Sequence, residues 1–195
     1  MVRGSDMYVT QNHTALMLTA EEIICKYYPA DDALRRLLVG HSRMVADKAL
    51  RIAAAHPELH VNVAFVERAA MLHDIGIFLT AAPGIPCHGT HPYLLHGHLG
   101  AQLMRREGDE AVARVCERHT GTGLTAETIE RQNIPLPTGI YVPVTVEEQI
   151  ICYADKYFSK SHPDVERTYE QTCRSVARWG DDCLATFMAW HRRFC

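Results

Sequence analysis

The stretch Phe65-Val66-Glu67-Arg68-Ala69-Ala70-Met71-Leu72-His73-Asp74-Ile75-Gly76 decides the fold of this chain. Its first eight residues form an apolar, helix-like run, and the run ends on His73-Asp74. An imidazole followed directly by a carboxylate at a helix end offers two adjacent donors to one metal ion. Further candidate donors flank it: His41 upstream, then His96, His119 and Asp155 downstream, each inside a stretch of helical character. A lone His on an apolar helix face is more often a satisfied core histidine. Six donors in order are a different signal, sufficient for one or two divalent metals.

Working outward, most of the chain reads as helix. Thr19-Ala20-Glu21-Glu22 resembles a helix start, and Asp31 or Asp32 is suited to cap a long helix that Pro57 ends near His56. A third helix runs from about Val63 to His73, with Gly76 suited to its termination. Residues 80–91 read as loop, and a fourth helix extends from near Pro92 to near Gly108. Asp109 caps a helix through Arg118, and Thr125 caps another to Gln132. The Pro-punctuated segment from Ile134 to Pro143 excludes a regular helix, and serves either as a connector or as a loop over the site. Thr145 and Glu148 fit a capping box for the helix that carries Asp155. Two helices, about Pro163 to Trp179 and Asp181 to Phe194, close the chain; Trp179 and Trp190 complete the core or a homo-oligomer contact. The expectation is an all-α, single-domain helical bundle over residues 1–195, with a motif core of about 31–160 and C-terminal helices over 161–195.

Composition bounds the function. The chain is 47% apolar and 22% charged, with a formal net charge of −3 and no basic block. That balance argues against coating an extended nucleic acid or a membrane surface. No apolar run reaches the ~20 residues that a bilayer span requires. Residues 1–11 hold one Arg and no apolar core of signal-peptide type, Met7 is a candidate start, and a cytoplasmic protein is expected. The seven cysteines form no Cys-x-x-Cys pair, so they read as buried apolar residues or reduced thiols. Histidine is the anomaly: there are twelve, five of them between His73 and His98.

These blocks resemble the HD-domain superfamily of metal-dependent phosphohydrolases, most closely its small stand-alone HDIG proteins. The resemblance is carried by Ala70-Met71-Leu72-His73-Asp74-Ile75-Gly76, His96-Gly97-His98-Leu99-Gly100-Ala101, Glu117 to Leu124 and Tyr153-Ala154-Asp155-Lys156. It implies that His41, His73, Asp74 and Asp155 bind a first metal. It also implies that His96 and His119 bind a second, with Asp74 bridging. His98, two residues from His96, competes for that role. Two divalent ions are implied, iron or manganese, with magnesium, zinc, cobalt or nickel as other candidates. One departure stands out. Binuclear relatives that cleave phosphodiesters carry a Lys just after the Gly, where this chain has Ile77 and Phe78, and their Gly-Tyr-Pro signature is absent.

Phosphate recognition needs cations or amide donors near the metals. Lys156 is the first candidate and stands beside Asp74 as catalytic, although a salt bridge away from the site is the competing reading. Arg43 and Lys160 are further cations, and Thr120-Gly121-Thr122-Gly123 either presents amides or simply ends a helix. His98, Arg43 and Tyr141, the last stacking on a base, are the candidate substrate contacts. The expected reaction is attack of a metal-activated hydroxide on the phosphorus of a small phosphorylated metabolite, a nucleotide foremost. A phosphomonoesterase ranks ahead of a pyrophosphohydrolase. Two other classes share the ligand set: a di-iron oxygenase, separable by redox-active iron, and a ligand-sensing domain with a structural metal.

Overall fold

The computed structural model describes residues 17–162 and 165–195. The candidate start at Met7 and the first two residues of the helix expected from Pro163 to Trp179 lie outside these residues. The fold is all-α. Its helices are α1 (Ala20–Tyr27), α2 (Ala33–Ala55), α3 (Val63–Leu72), α4 (His96–Arg106), α5 (Glu110–Arg118), α6 (Ala126–Arg131), α7 (Val146–Asp155), α8 (Tyr169–Val176) and α9 (Asp181–Phe194). Residues 80–91 are not wholly loop: β1 (Thr80–Ala81) pairs in parallel with β2 (His91–Pro92). The pair is too short to leave a periodic signal in sequence.

Local chemistry sets the helix ends. Thr19 and Thr145 close capping boxes with Glu22 and Glu148, and Asp32, Asp109 and Thr125 accept the amides that open α2, α5 and α6. The same device moves the start of α8. Thr168 and Gln171 form a capping box, so that helix begins at Tyr169 and Pro163 precedes it.

Packing then brings the six donors together. α2 lies against α3 and α7, α4 lies against α5, and α3 and α5 both reach α7. The interface is filled by Leu38, Val45 and Ala49 of α2, Val66, Ala69 and Ala70 of α3, Cys116 of α5 and Ile150, Ile151 and Tyr153 of α7, all buried. Small residues on α2 and α3 let their backbones approach. α9 closes the far side, with Phe187 buried against Tyr153.

Gly76 acts differently from the expected helix terminator. Its φ is −85°, which any residue adopts. A Cβ there would overlap the His96 carbonyl oxygen and the Gly100 amide nitrogen. The glycine is needed because the turn after Asp74 lies directly against α4, the helix that carries His96.

Candidate metal centre

Most of the donors sit at helix ends. His73 is the C-cap of α3, and Asp74 follows it; His96 opens α4; His119 is the C-cap of α5; Asp155 ends α7. His41 comes from the middle of α2, on the face that also buries Leu38 and Val45. All six side chains are buried.

They form two sets that share one carboxylate. Oδ2 of Asp74 lies 3.2 Å from His41 Nε2 and 3.0 Å from His73 Nε2, and Asp155 Oδ1 lies 3.0 Å from the same His41 nitrogen. Oδ1 of Asp74 faces the other way, 3.3 Å from His96 Nε2 and 3.4 Å from His119 Nε2. Within each set the donor atoms lie within 4.8 Å of one another.

The backbone fixes how three of the imidazoles present themselves. Nδ1 of His73, His96 and His119 donates to the carbonyl three residues earlier: Ala70 at 2.7 Å, Tyr93 at 2.6 Å and Cys116 at 2.7 Å. A carbonyl accepts only, so Nδ1 carries a hydrogen in each ring, and in the neutral ring Nε2 turns a lone pair to the centre. His96 and His119 then point two such nitrogens at each other across 2.9 Å. Two lone pairs at that distance repel unless a cation lies between them and Asp74. His73 Nε2 and Asp74 Oδ1 are buried without a hydrogen-bond partner. Buried polar atoms are rarely left so. The chemistry of the set, imidazole and carboxylate without thiolate, suits borderline and hard divalent ions. The residues therefore fit two metals.

Electrostatics point the same way. Asp74 and Asp155 stand at C-terminal helix ends, where the dipole opposes a negative charge. Burial pushes both carboxyls up, but the charges of His73 and Lys160 hold Asp74 well below the usual range, and the Lys156 charge with hydrogen bonds to His41 and His73 does the same for Asp155. Burial pulls His73 down, yet Asp74 and Asp155 bring it up to about 9. Burial lowers His119 to about 4, so it is a neutral donor.

A cavity of about 300 Å³ opens onto this centre, lined among others by Tyr93, His96, His119, Lys156, Lys160 and Arg167. Lys156 Nζ is 2.7 Å from Asp155 Oδ2 and donates to the His119 carbonyl at 2.8 Å. It lies in the site and is ion-paired there, so the competing expectation of a salt bridge away from the site does not hold. Lys160 Nζ is closer to the shared carboxylate than any imidazole, 2.6 Å from Asp74 Oδ2. Tyr93 stacks on His96 at 4.6 Å between ring centroids, and burial pushes its phenol up to about 12, so it keeps its proton.

Three expected substrate contacts are elsewhere. Arg43 and His98 each follow a candidate ligand by two residues, which is about 200° around a helix. Arg43 accordingly leaves the site and bonds Glu67 at 2.9 Å, while His98 meets Gln102 at 2.9 Å on the outer face of α4. Tyr141 donates to the Pro137 carbonyl at 3.0 Å and packs with Leu124 and Ile134. The Pro-punctuated segment thus builds a small apolar cluster, and it does not line the cavity. Thr120 and Gly121 do line it. Tyr93 and Arg167 were not singled out from the sequence. Tyr93 could have been found three residues before His96, but Arg167 has no motif signal.

Residues 38–159 match the family model described as HD domain. Curated relatives are similar over part of their length. A tRNA (cytidine(56)-2'-O)-methyltransferase of Thermoplasma volcanium is 33% identical over 71% of this chain and 35% of its own length. One of the same name from Picrophilus torridus is 35% identical over 70% of this chain and 35% of its own. An uncharacterised protein of Methanocaldococcus jannaschii is 32% identical, over 67% of this chain and 82% of its own length. This chain therefore spans about a third of the two methyltransferases. No solved structure gives a significant match. Among the described residues, no helix is long and apolar enough to cross a membrane.

Proposed function

Because this chain belongs to the HD domain family, which suggests a metal-dependent hydrolase, we propose that it is a phosphohydrolase releasing phosphate from a nucleotide. The observation that carries the reading is the split carboxylate of Asp74, one oxygen toward His41 and His73 and the other toward His96 and His119. His41, His73, Asp74 and Asp155 would hold one ion, and Asp74, His96 and His119 a second. A divalent pair held by these residues would supply acidification of water toward a pKa of ~7 and neutralisation of phosphate charge.

The chain's own residues supply the rest. Lys156 and Lys160 place two ammonium groups on the cavity side of the carboxylates, where phosphate oxygens would lie. Lys160 brings from beyond α7 the cation that Ile77 fails to supply after Gly76. Tyr93 holds a phenol proton beside Lys160 and can donate a hydrogen bond to an ester oxygen. A cavity of about 300 Å³ suits a small metabolite rather than a polymer.

The methyltransferase names belong to longer proteins, and this chain matches 35% of each. A converging set of imidazoles and carboxylates serves metal binding, and methyl transfer requires a bound methyl donor in place of activated water. We assign the chain to hydrolysis on that ground.

The test is phosphate release from a panel of nucleotides and sugar phosphates, with anaerobically purified protein supplied with manganese or iron. Metal-dependent release from nucleoside monophosphates is expected. Silence across the panel from protein that retains two irons would overturn the reading in favour of a di-iron oxygenase.

A further inference from the structure

A second cavity of about 440 Å³ adjoins the first and shares Ser159, Arg167 and Ser175 with it. Its wall is a stripe along α8 and the turn after it. Gln171, Arg174, Ser175 and Arg178 recur at spacings of three and four, which place them on one helix face. Its residues among those described include three arginines and no carboxylate. None of Arg167, Arg174 and Arg178 makes an ion pair with a described residue, whereas Arg105, Arg114 and Arg118 all do.

Two of these guanidiniums are held in place. Arg167 donates to the Lys156 carbonyl at 3.2 Å, and Arg178 donates to Ser175 Oγ at 3.0 Å. Arg167 therefore touches the backbone of the residue whose ammonium faces Asp155. Concentrating like charges in a half-open groove costs energy, and a polyanion repays it. Guanidinium groups match phosphate geometry with paired donors.

From this geometry we infer that the substrate carries a second phosphate, which lies in the groove of Arg167, Arg174 and Arg178 while the first faces the metal centre. The inference rests on the reading of the centre as a phosphate-ester site and narrows its substrate to bisphosphorylated nucleotides. The second phosphate belongs either to the same nucleotide or to the next one in a short strand. The groove is charged but has an open end, so the small nucleotide is the form to which we commit.

Equilibrium dialysis of the full chain after chelation, which stops turnover, tests this with three probes: AMP, an adenosine bisphosphate with a phosphate on each side of the ribose, and a short oligoribonucleotide with a terminal phosphate. The bisphosphate should bind at least about tenfold tighter than AMP, as expected for one additional guanidinium–phosphate contact. That advantage should shrink as salt rises and fall toward unity in R174A/R178A. Tighter binding of the oligonucleotide than of the bisphosphate would make a strand the source of the second phosphate. Equal binding of AMP and bisphosphate, no binding of either, or an advantage that survives in R174A/R178A would overturn the inference. If the advantage holds but no phosphate is ever released, the hydrolase reading fails and the groove assignment stands.

Discussion

The two faces of α4 carry similar side chains in opposite states. On the outer face, Arg105 reaches Glu110 at 3.0 Å and Glu117 at 2.9 Å, while behind it Arg118 meets the buried Glu148 at 3.0 Å. Each cation there has its anion, as a structural network requires. On the inner face, His96 and His119 aim acceptors at each other and at a carboxylate, with no donor among them. His96 and His98 are two residues apart, yet one belongs to each regime. A site differs from a network in being incomplete without a ligand, and the position of the unmatched acceptors says which ligand that is.

Removing the residue common to both donor sets breaks the inner face most severely. Asp74→Ala should lower phosphate release by at least ~10³-fold and leave less than one metal per chain by elemental analysis. Retained turnover at full metal loading would contradict the split carboxylate. Lys160→Met should come next, with a loss of roughly 10²-fold in kcat/KM at unchanged metal content, measured by steady-state kinetics. A loss of metal in step with activity would make Lys160 structural.

A matched pair sharpens the contrast between faces. His96→Ala should reduce metal stoichiometry from two to one and turnover by roughly 10- to 100-fold. His98→Ala should change neither, because its ring bonds Gln102 on the outer face. The smallest effect expected is on pH. Without metal, His73 keeps a proton up to about 9, since Asp74 and Asp155 outweigh its burial. A metal ion must displace that proton, so affinity should rise about tenfold per pH unit from neutrality to about 9 and then level off. Chelator competition across that range measures the slope, and a flat profile would mean that His73 enters neutral.

Residues that lie on helices were legible, because a helix end and a cap can be read from Thr145 with Glu148 or from Asp109 alone. The convergence of the His and Asp donors followed from the order of their blocks. The cavity rim was legible only in part: Lys156 and Lys160 stand close to the last block, but Arg167 follows α7 on an irregular path whose direction no periodicity encodes. Arg43 and His98 point away from the centre for a reason the sequence contains: two residues from a ligand is the wrong side of the helix. Gly76 is needed for the close approach of α4, and not for backbone freedom. That contact depends on residues 96 and 100, distant in sequence, and only the assembled bundle reveals it.

If two metal sites share Asp74, both should be needed for phosphate release. Metal-stripped protein should be titrated with manganese while bound metal and phosphate release are followed in the same samples. Release at one equivalent should be a small fraction of the plateau reached at two. Full activity at one equivalent, or activity without metal, would contradict it.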